Sequence, residues 1–455
     1  QPARRVHDAC MTDVRAPDPS NPATQGRTTD LRGASRLAVE ATIALTSLVE
    51  NLHHNIQRVP APLGAASQRP TRGITGLVYC SVRGVTRLVG SSLDALLGQI
   101  EGLIGPGTKA STREREAVVA ALNGVLGDHL EASGNPLAIE MRLWHDGAPL
   151  TLDSETLARE LPTASGRVLL MVHGLCMNPL QWRRMRKDGS RFDLGAALAA
   201  EGGFTPLYLH YNTGLHVSTN GRRLADLLKA LQAAWPVPLN ELAIVGHSMG
   251  GLVARSAVHQ ARARGDTWPL QLKSMVFLGT PHHGAPLERG GHWIQMILGA
   301  SPYTAAIARL AKLRSAGITD LRHGSLLDAD WSGADRFAHG HDTRVKVSLP
   351  DGMACYAIAA TLDREAGGLP EKTRGDGLVP VASALGRHKQ VSRCLAFEPD
   401  RQWIAQGLNH LDLLASEAVL AQLRDWLLTP RLTLPAPEPA HKSSVESPDN
   451  RACER

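Results

Sequence analysis

From residue 167 onward the sequence alternates between short apolar runs and longer amphipathic stretches. RVLLMVHG, FTPLYLHYN, ELAIVG and LKSMVFLG have the length and composition of buried strands. FDLGAALAAEG, RRLADLLKALQAAW and GGLVARSAVHQARARG, lying between them, repeat apolar residues at helical spacing. Farther along, MACYAIAATL and VSRCLAFE read as strands and DLLASEAVLAQLRDWLL as a closing helix. Parallel neighbours need a crossover, so this alternation predicts a mostly parallel sheet with helices on both faces. Ahead of it, AIEMRLWHDGAPLTL alternates and turns at Asp146-Gly147, the pattern of a β-hairpin.

A chain of 455 residues is too long for a single compact core, so further segments are expected. Residues 1–30, rich in Pro, Thr, Asp and Arg, read as a disordered lead. Residues 31–130 carry three helical runs and read as a helical N-terminal region. The second of these, Ile74 to Ile104, has a wide apolar face flanked by Arg83 and Arg87, with Asp94 and Glu101 on other sides. That face either packs on its neighbours or meets a lipid surface. The catalytic domain is placed at residues 137–430, interrupted by a mostly helical stretch at about 284–349. Residues 431–455, with PAPEPAHKSSVESPDN, read as a disordered tail.

Composition narrows the partners. The net charge of +6 is mild for this length, no dense Lys/Arg block is present, and aromatics make up only 4%. Nucleic-acid binding is therefore not expected. The six cysteines show no CxxC pair, which points to reduced thiols in a cytoplasmic protein. A single bridge such as Cys355 to Cys394 is the alternative for an exported one. The visible N-terminus lacks the apolar core of a signal peptide, although the chain begins at Gln1 and a leader upstream would not be seen. No run of 18 apolar residues calls for a transmembrane helix. Peripheral membrane contact through the N-terminal helices is the one membrane association expected.

The segment most specific for chemistry is ELAIVGHSMGGLVARSAV. An apolar strand runs into Gly246-His247-Ser248-Met249-Gly250, and a helix follows. That context makes Ser248 a candidate nucleophile on a tight strand-to-helix turn, whose flanking glycines avoid clashes. The helix that follows directs its N-terminal dipole at the serine, favouring negative charge there.

A serine needs a base, and the base needs an orienting carboxylate. For this turn both partners lie downstream, acid before histidine. Asp363 and Asp376 are the candidate acids. Asp376, in Thr-Arg-Gly-Asp-Gly-Leu-Val-Pro, is preferred, and Asp363 reads as a strand-end residue. His410, in Gly-Leu-Asn-His ahead of the closing helix, is the preferred base. Asp412 reads as a helix cap, and His388 as a solvated residue in a basic loop. The oxyanion donors are expected to be the main-chain N–H groups of Met249 and Leu175, the latter in the loop after RVLLMVHG. His173, in that loop, reads as a buried structural histidine. The adjacent pair His282-His283 suits one metal poorly, and no HExxH occurs, so no metal and no cofactor are expected.

VHGL, GHSMGG, GTPHHGAP, GDGLVP and NHLDLL, in this order, resemble the lipase and GPI inositol-deacylase-like branch of the α/β-hydrolase superfamily. The likeness spans about residues 137–430 and leaves the helical N-terminus outside. It implies an α/β-hydrolase fold, Ser248 as nucleophile, Asp376 as acid, His410 as base, and Leu175 and Met249 as oxyanion donors. It also implies a lid after GTPHHGAP, here GGHWIQMILGASPYTAAIARLAKL. The calcium site of some bacterial lipases has no counterpart in this sequence. The implied activity is hydrolysis of a small-molecule or lipid carboxylic ester. An acyltransferase or thioesterase on the same fold is the rival, and a non-catalytic lipid-binding module a more distant one.

Overall fold

The structure is a computed structural model, and it describes residues 112–186, 189–285, 315–333, 342, 344–363 and 375–429. The disordered lead, the first two N-terminal helical runs, the lid stretch and the tail lie outside the described residues.

In chain order the elements begin with α1 (Thr112–Ala132), β1 (Arg142–His145), β2 (Ala148–Pro149), α2 (Ser154–Glu160) and β3 (Arg167–Val172). Then come β4 (Arg183–Met185), β5 (Arg191–Asp193), α3 (Leu194–Gly202), β6 (Thr205–His210) and α4 (Val217–Ala234). β7 (Glu241–His247), α5 (Met249–Arg264) and β8 (Leu272–Leu278) form the centre. The last are α6 (Ala316–Asp320), β9 (Ala354–Thr361), α7 (Val381–Ala384), β10 (Gln402–Gln406) and α8 (Glu417–Leu428).

Eight strands form one sheet in the order β10-β9-β8-β7-β3-β6-β1-β2. From β10 to β6 every pairing is parallel, while β1 pairs antiparallel with both β6 and β2. The hairpin turn has φ 51 at Asp146 and φ 84 at Gly147, the left-handed pair that fits a two-residue loop to twisted strands. A small separate hairpin, β4 with β5, was not evident from the sequence.

The strands are apolar on both sides because both faces are covered. Val168, Leu170 and Val172 of β3 pack with α1, α4 and α5, whereas Leu169 and Met171 pack with Leu194 and Leu198 of α3 and Leu423 of α8. This places the mostly parallel, doubly covered sheet where the alternation predicted it. From β3 the chain passes to β6 on one side and then returns across it to β7 on the other. Such a reversal of strand order opens a crevice beyond the C-terminal strand ends.

Helix α1 lies in the same core as the sheet: Val118, Leu122 and Val125 are buried there, and Asn123 Nδ2 donates to Leu137 C=O at 2.7 Å. The third helical run of the N-terminal region is therefore packed on the sheet. Other expectations are corrected. VSRCLAFE is not a strand: Val391–Arg393 form a short 3-10 turn, and the outermost strand is Gln402–Gln406. Leu395 is drawn instead against Gly386, and Phe397 against the Phe277 ring. The closing helix starts at Glu417, after a separate 3-10 turn at Asp412–Leu414. Most of the stretch 284–349, with its expected helices, lies outside the described residues; the described parts hold the short α6 and a 3-10 turn at Asp328–Asp330. Cys355 and Cys394 are free thiols, as is Cys176. No helix among the described residues is long and apolar enough to cross a membrane.

Candidate active site

Ser248 joins β7 directly to α5 with φ 54 and ψ −125, a conformation outside every region ordinarily open to a residue with a side chain. Such a backbone costs about 1–3 kcal/mol and persists only when its surroundings over-determine it. Here they do. Ser248 N–H donates to Leu278 C=O at 2.8 Å, and its C=O accepts from Gly251 N–H at 3.1 Å. The flanking glycines are required by close approach: a Cβ on Gly246 would lie 2.6 Å from Gly251 Cα, and one on Gly250 would lie 2.3 Å from Val172 C=O.

Asp376 and His410 are buried, each 1% exposed, and bonded through Asp376 Oδ2 and His410 Nδ1 at 2.6 Å. The Gly-Asp-Gly-Leu-Val-Pro turn aims the carboxylate, since Oδ1 accepts from Leu378 N–H at 2.9 Å and Val379 N–H at 2.7 Å. A carboxylate only accepts, so His410 carries its proton on Nδ1 and offers the lone pair of Nε2. Asp363 is bound elsewhere: its side chain accepts from Thr361 Oγ1 at 3.3 Å and its C=O from Gly407 N–H at 2.9 Å. It anchors the loop that leads to His410. Asp412 does not cap the closing helix, whose N-cap is Ser416; its Oδ2 accepts from Asn409 N–H at 3.0 Å and its own N–H donates to Asn409 Oδ1 at 3.0 Å.

Ser248 and His410 are linked through His247. His247 Nε2 donates to the His410 C=O at 3.1 Å, and the two rings lie 4.7 Å apart. Burial and the neighbouring His410 ring hold the His247 pKa well below the ordinary histidine value, so its imidazole is neutral. Ser248 Oγ makes no hydrogen bond among the described residues. Without substrate such contacts are commonly long and tighten on binding.

The loop after β3 runs over the serine. A Cβ on Gly174 would lie 3.0 Å from Ser248 Cβ and 3.1 Å from His247 Nδ1. Leu175 and Cys176 are the central residues of a turn closed by Met177 N–H to Gly174 C=O at 3.3 Å, with φ 58 at Cys176. That closing bond does not use the Leu175 N–H. Met249, fully buried, is the first residue of α5, whose leading N–H groups have no intrahelical acceptor. Gly174, which precedes Leu175, thus lies against the serine, and Met249 follows it directly in the chain. His173 is fully buried and stacked on Tyr211 at 4.6 Å, with its pKa pushed down to about 3 by burial.

Sequence reasoning missed the residues that hold this loop. Tyr211 Oη donates to His173 C=O at 2.8 Å, and Cys176 N–H donates to Thr213 Oγ1 at 3.1 Å. The polar Tyr-Asn-Thr cluster at the end of an apolar strand was the available signal. His388, read as solvated, is tied down as well, with its ring 4.9 Å from that of His283.

Residues 163–351 match the PGAP1-like alpha/beta domain family. The chain has the α/β-hydrolase fold. No curated protein matches its sequence. Among solved structures the chain is similar to the mature form of the Bacillus licheniformis lipase BlEst2. That likeness has 17% identity and a TM-score of 0.36 and covers 57% of this chain and 91% of the lipase. It is also similar to Aspergillus fumigatus lipase B, at 12% identity and a TM-score of 0.34, over 58% of this chain and 52% of the other. The Pyrococcus furiosus esterase Pf2001 is matched at 12% identity and a TM-score of 0.35, over 58% of this chain and 82% of the esterase.

Proposed function

We propose that the protein hydrolyses carboxylic esters through an acyl-enzyme on Ser248. The observation that carries the reading is Ser248 strained at a strand-to-helix turn, with the bonded Asp376–His410 pair beside it. In the forward half-reaction Ser248 Oγ attacks the ester carbonyl carbon while His410 Nε2 takes its proton. The carbonyl oxygen, now negative, receives the Leu175 and Met249 N–H groups. Collapse breaks the C–O bond to the alcohol, which leaves with the proton from His410. Water then repeats the sequence, releasing the acid and restoring Ser248. Asp376 holds the tautomer and stabilises the imidazolium formed twice per turnover.

The test is a panel of p-nitrophenyl esters from acetate to dodecanoate, mixed with the full chain at substoichiometric and stoichiometric amounts. Turnover with a burst matching the enzyme concentration is expected for at least part of the series. A folded preparation that releases no p-nitrophenol from any member overturns the reading.

A further inference from the structure

Roughly two helical turns beyond Ser248, or about 10 Å along the axis of α5, lies Arg255, which is 4% exposed. Its Nη2 donates to Val347 C=O at 2.6 Å and its Nη1 to His282 Nδ1 at 3.2 Å, but its Nε has no acceptor among the described residues. No carboxylate among the described residues reaches it within ion-pair distance. Burying a guanidinium without a counter-charge is costly, because neither water nor an anion replaces its hydration.

The residues around it deepen the imbalance. Arg255, His282 and His283 line a pocket together with Arg344, Lys346 and Arg393. The one carboxylate on its wall, Asp330, is engaged by the N–H groups of Leu326, Leu327 and Val345, at 2.8, 3.0 and 2.8 Å. Asp342 is shared between Arg344 at 2.9 Å and Arg393 at 3.5 Å. Among the described residues four cations thus face two carboxylates, and Arg255 and Lys346 have no carboxylate partner there. Arginine donates only, so His282 Nδ1 must accept from it and the His282 proton sits on Nε2. That second buried N–H also has no acceptor among the described residues.

We infer that this pocket is an anion site for a phosphate group, completed by a ligand whose oxygens accept from Arg255 and His282 and whose charge offsets Lys346. It is separate from the Ser248 centre and does not depend on the ester-hydrolase reading. The site would tie the Gly-Thr-Pro-His-His loop after β8 to the irregular segment 344–349. Phosphate could reach it as the free ion or as the monoester group of a larger molecule.

The test is a thermal-melt and calorimetric titration of the full chain with inorganic phosphate and, in parallel, with glycerol 3-phosphate, at ionic strength held constant with sodium chloride. A saturable rise in Tm with either phosphate, absent with sodium chloride alone, is expected. Equal response to both ligands assigns the site to a phosphate group on any carrier; response to inorganic phosphate alone assigns it to the free ion. Lys346→Ala, at an exposed position, is expected to raise the half-saturating concentration about threefold to fivefold, the scale of one exposed charge. Arg255→Gln is expected to raise it more than about 10-fold. Should Arg255→Gln fail to fold, Lys346→Ala alone decides the matter. No saturable response, a response matched by chloride, or affinity unchanged in Lys346→Ala overturns the inference.

Discussion

Asp376 is joined to His410 twice, by Oδ2 to Nδ1 at 2.6 Å and by its C=O to the His410 N–H at 3.1 Å. The two bonds separate the carboxylate's role on the imidazole from that of the main chain on the loop. Asp376→Asn keeps the main-chain bond and the side-chain shape but presents an amide to Nδ1. It is expected to lower kcat by roughly 10³–10⁴-fold with little change in Tm. Asp363→Asn, which removes a charge that faces Thr361, is expected to cost less than about 10-fold in kcat. Steady-state kinetics of the two variants side by side check this, and the reverse ranking would refute the choice of acid.

Gly174 admits the oxyanion loop to the serine turn. Gly174→Ala would place a methyl group 3.0 Å from Ser248 Cβ, and the loop must shift by a few tenths of an ångström. Displacing the Leu175 N–H should lower kcat by roughly 10²-fold, the scale of one oxyanion donor, while KM changes less. Unchanged kcat would mean that Leu175 does not face the reacting oxygen.

The buried His173 makes stability depend on pH. Burial pushes its pKa down to about 3 in the folded state, against an ordinary value of 6.5 when unfolded. As pH falls below 6.5 the unfolded chain takes up a proton that the folded chain refuses. Stability is therefore full above pH 6.5 and declines toward pH 3, by up to about 1.4 kcal/mol per pH unit for each such histidine. Denaturant unfolding at intervals from pH 7 to 4 should show this decline, and His173→Gln should reduce its slope by about one proton's worth. An unchanged slope would place the titration elsewhere, for instance on His210, also pushed down to about 4 by burial.

How much of this was legible in the sequence follows from which contacts are local. The Ser248 turn, the Asp376 turn and the Asp146-Gly147 hairpin are built within a few residues, and the sequence displays them directly. The outermost strand was misplaced because β10 pairs with β9 alone and needs no continuous apolar run. VSRCLAFE looked more like a strand, but its Leu395 and Phe397 serve packing against Gly386 and Phe277. The bond from His247 to His410 spans 163 residues in sequence, and no spacing rule anticipates it. Helix α1 was recognised as a helix, but its burial against β3 and β6 depends on partners that come later in the chain.

The central claim is that Ser248 is the nucleophile, and covalent labelling tests it most directly. The full chain is treated with a fluorophosphonate, digested, and the modified peptide sequenced by mass spectrometry. The account predicts one label per chain, on Ser248, and none on Ser248→Ala, whose Tm stays within a few degrees of the parent because the substitution removes one hydroxyl that makes no hydrogen bond among the described residues. Label that persists on a folded Ser248→Ala protein, or that maps to another residue in the parent, would contradict it.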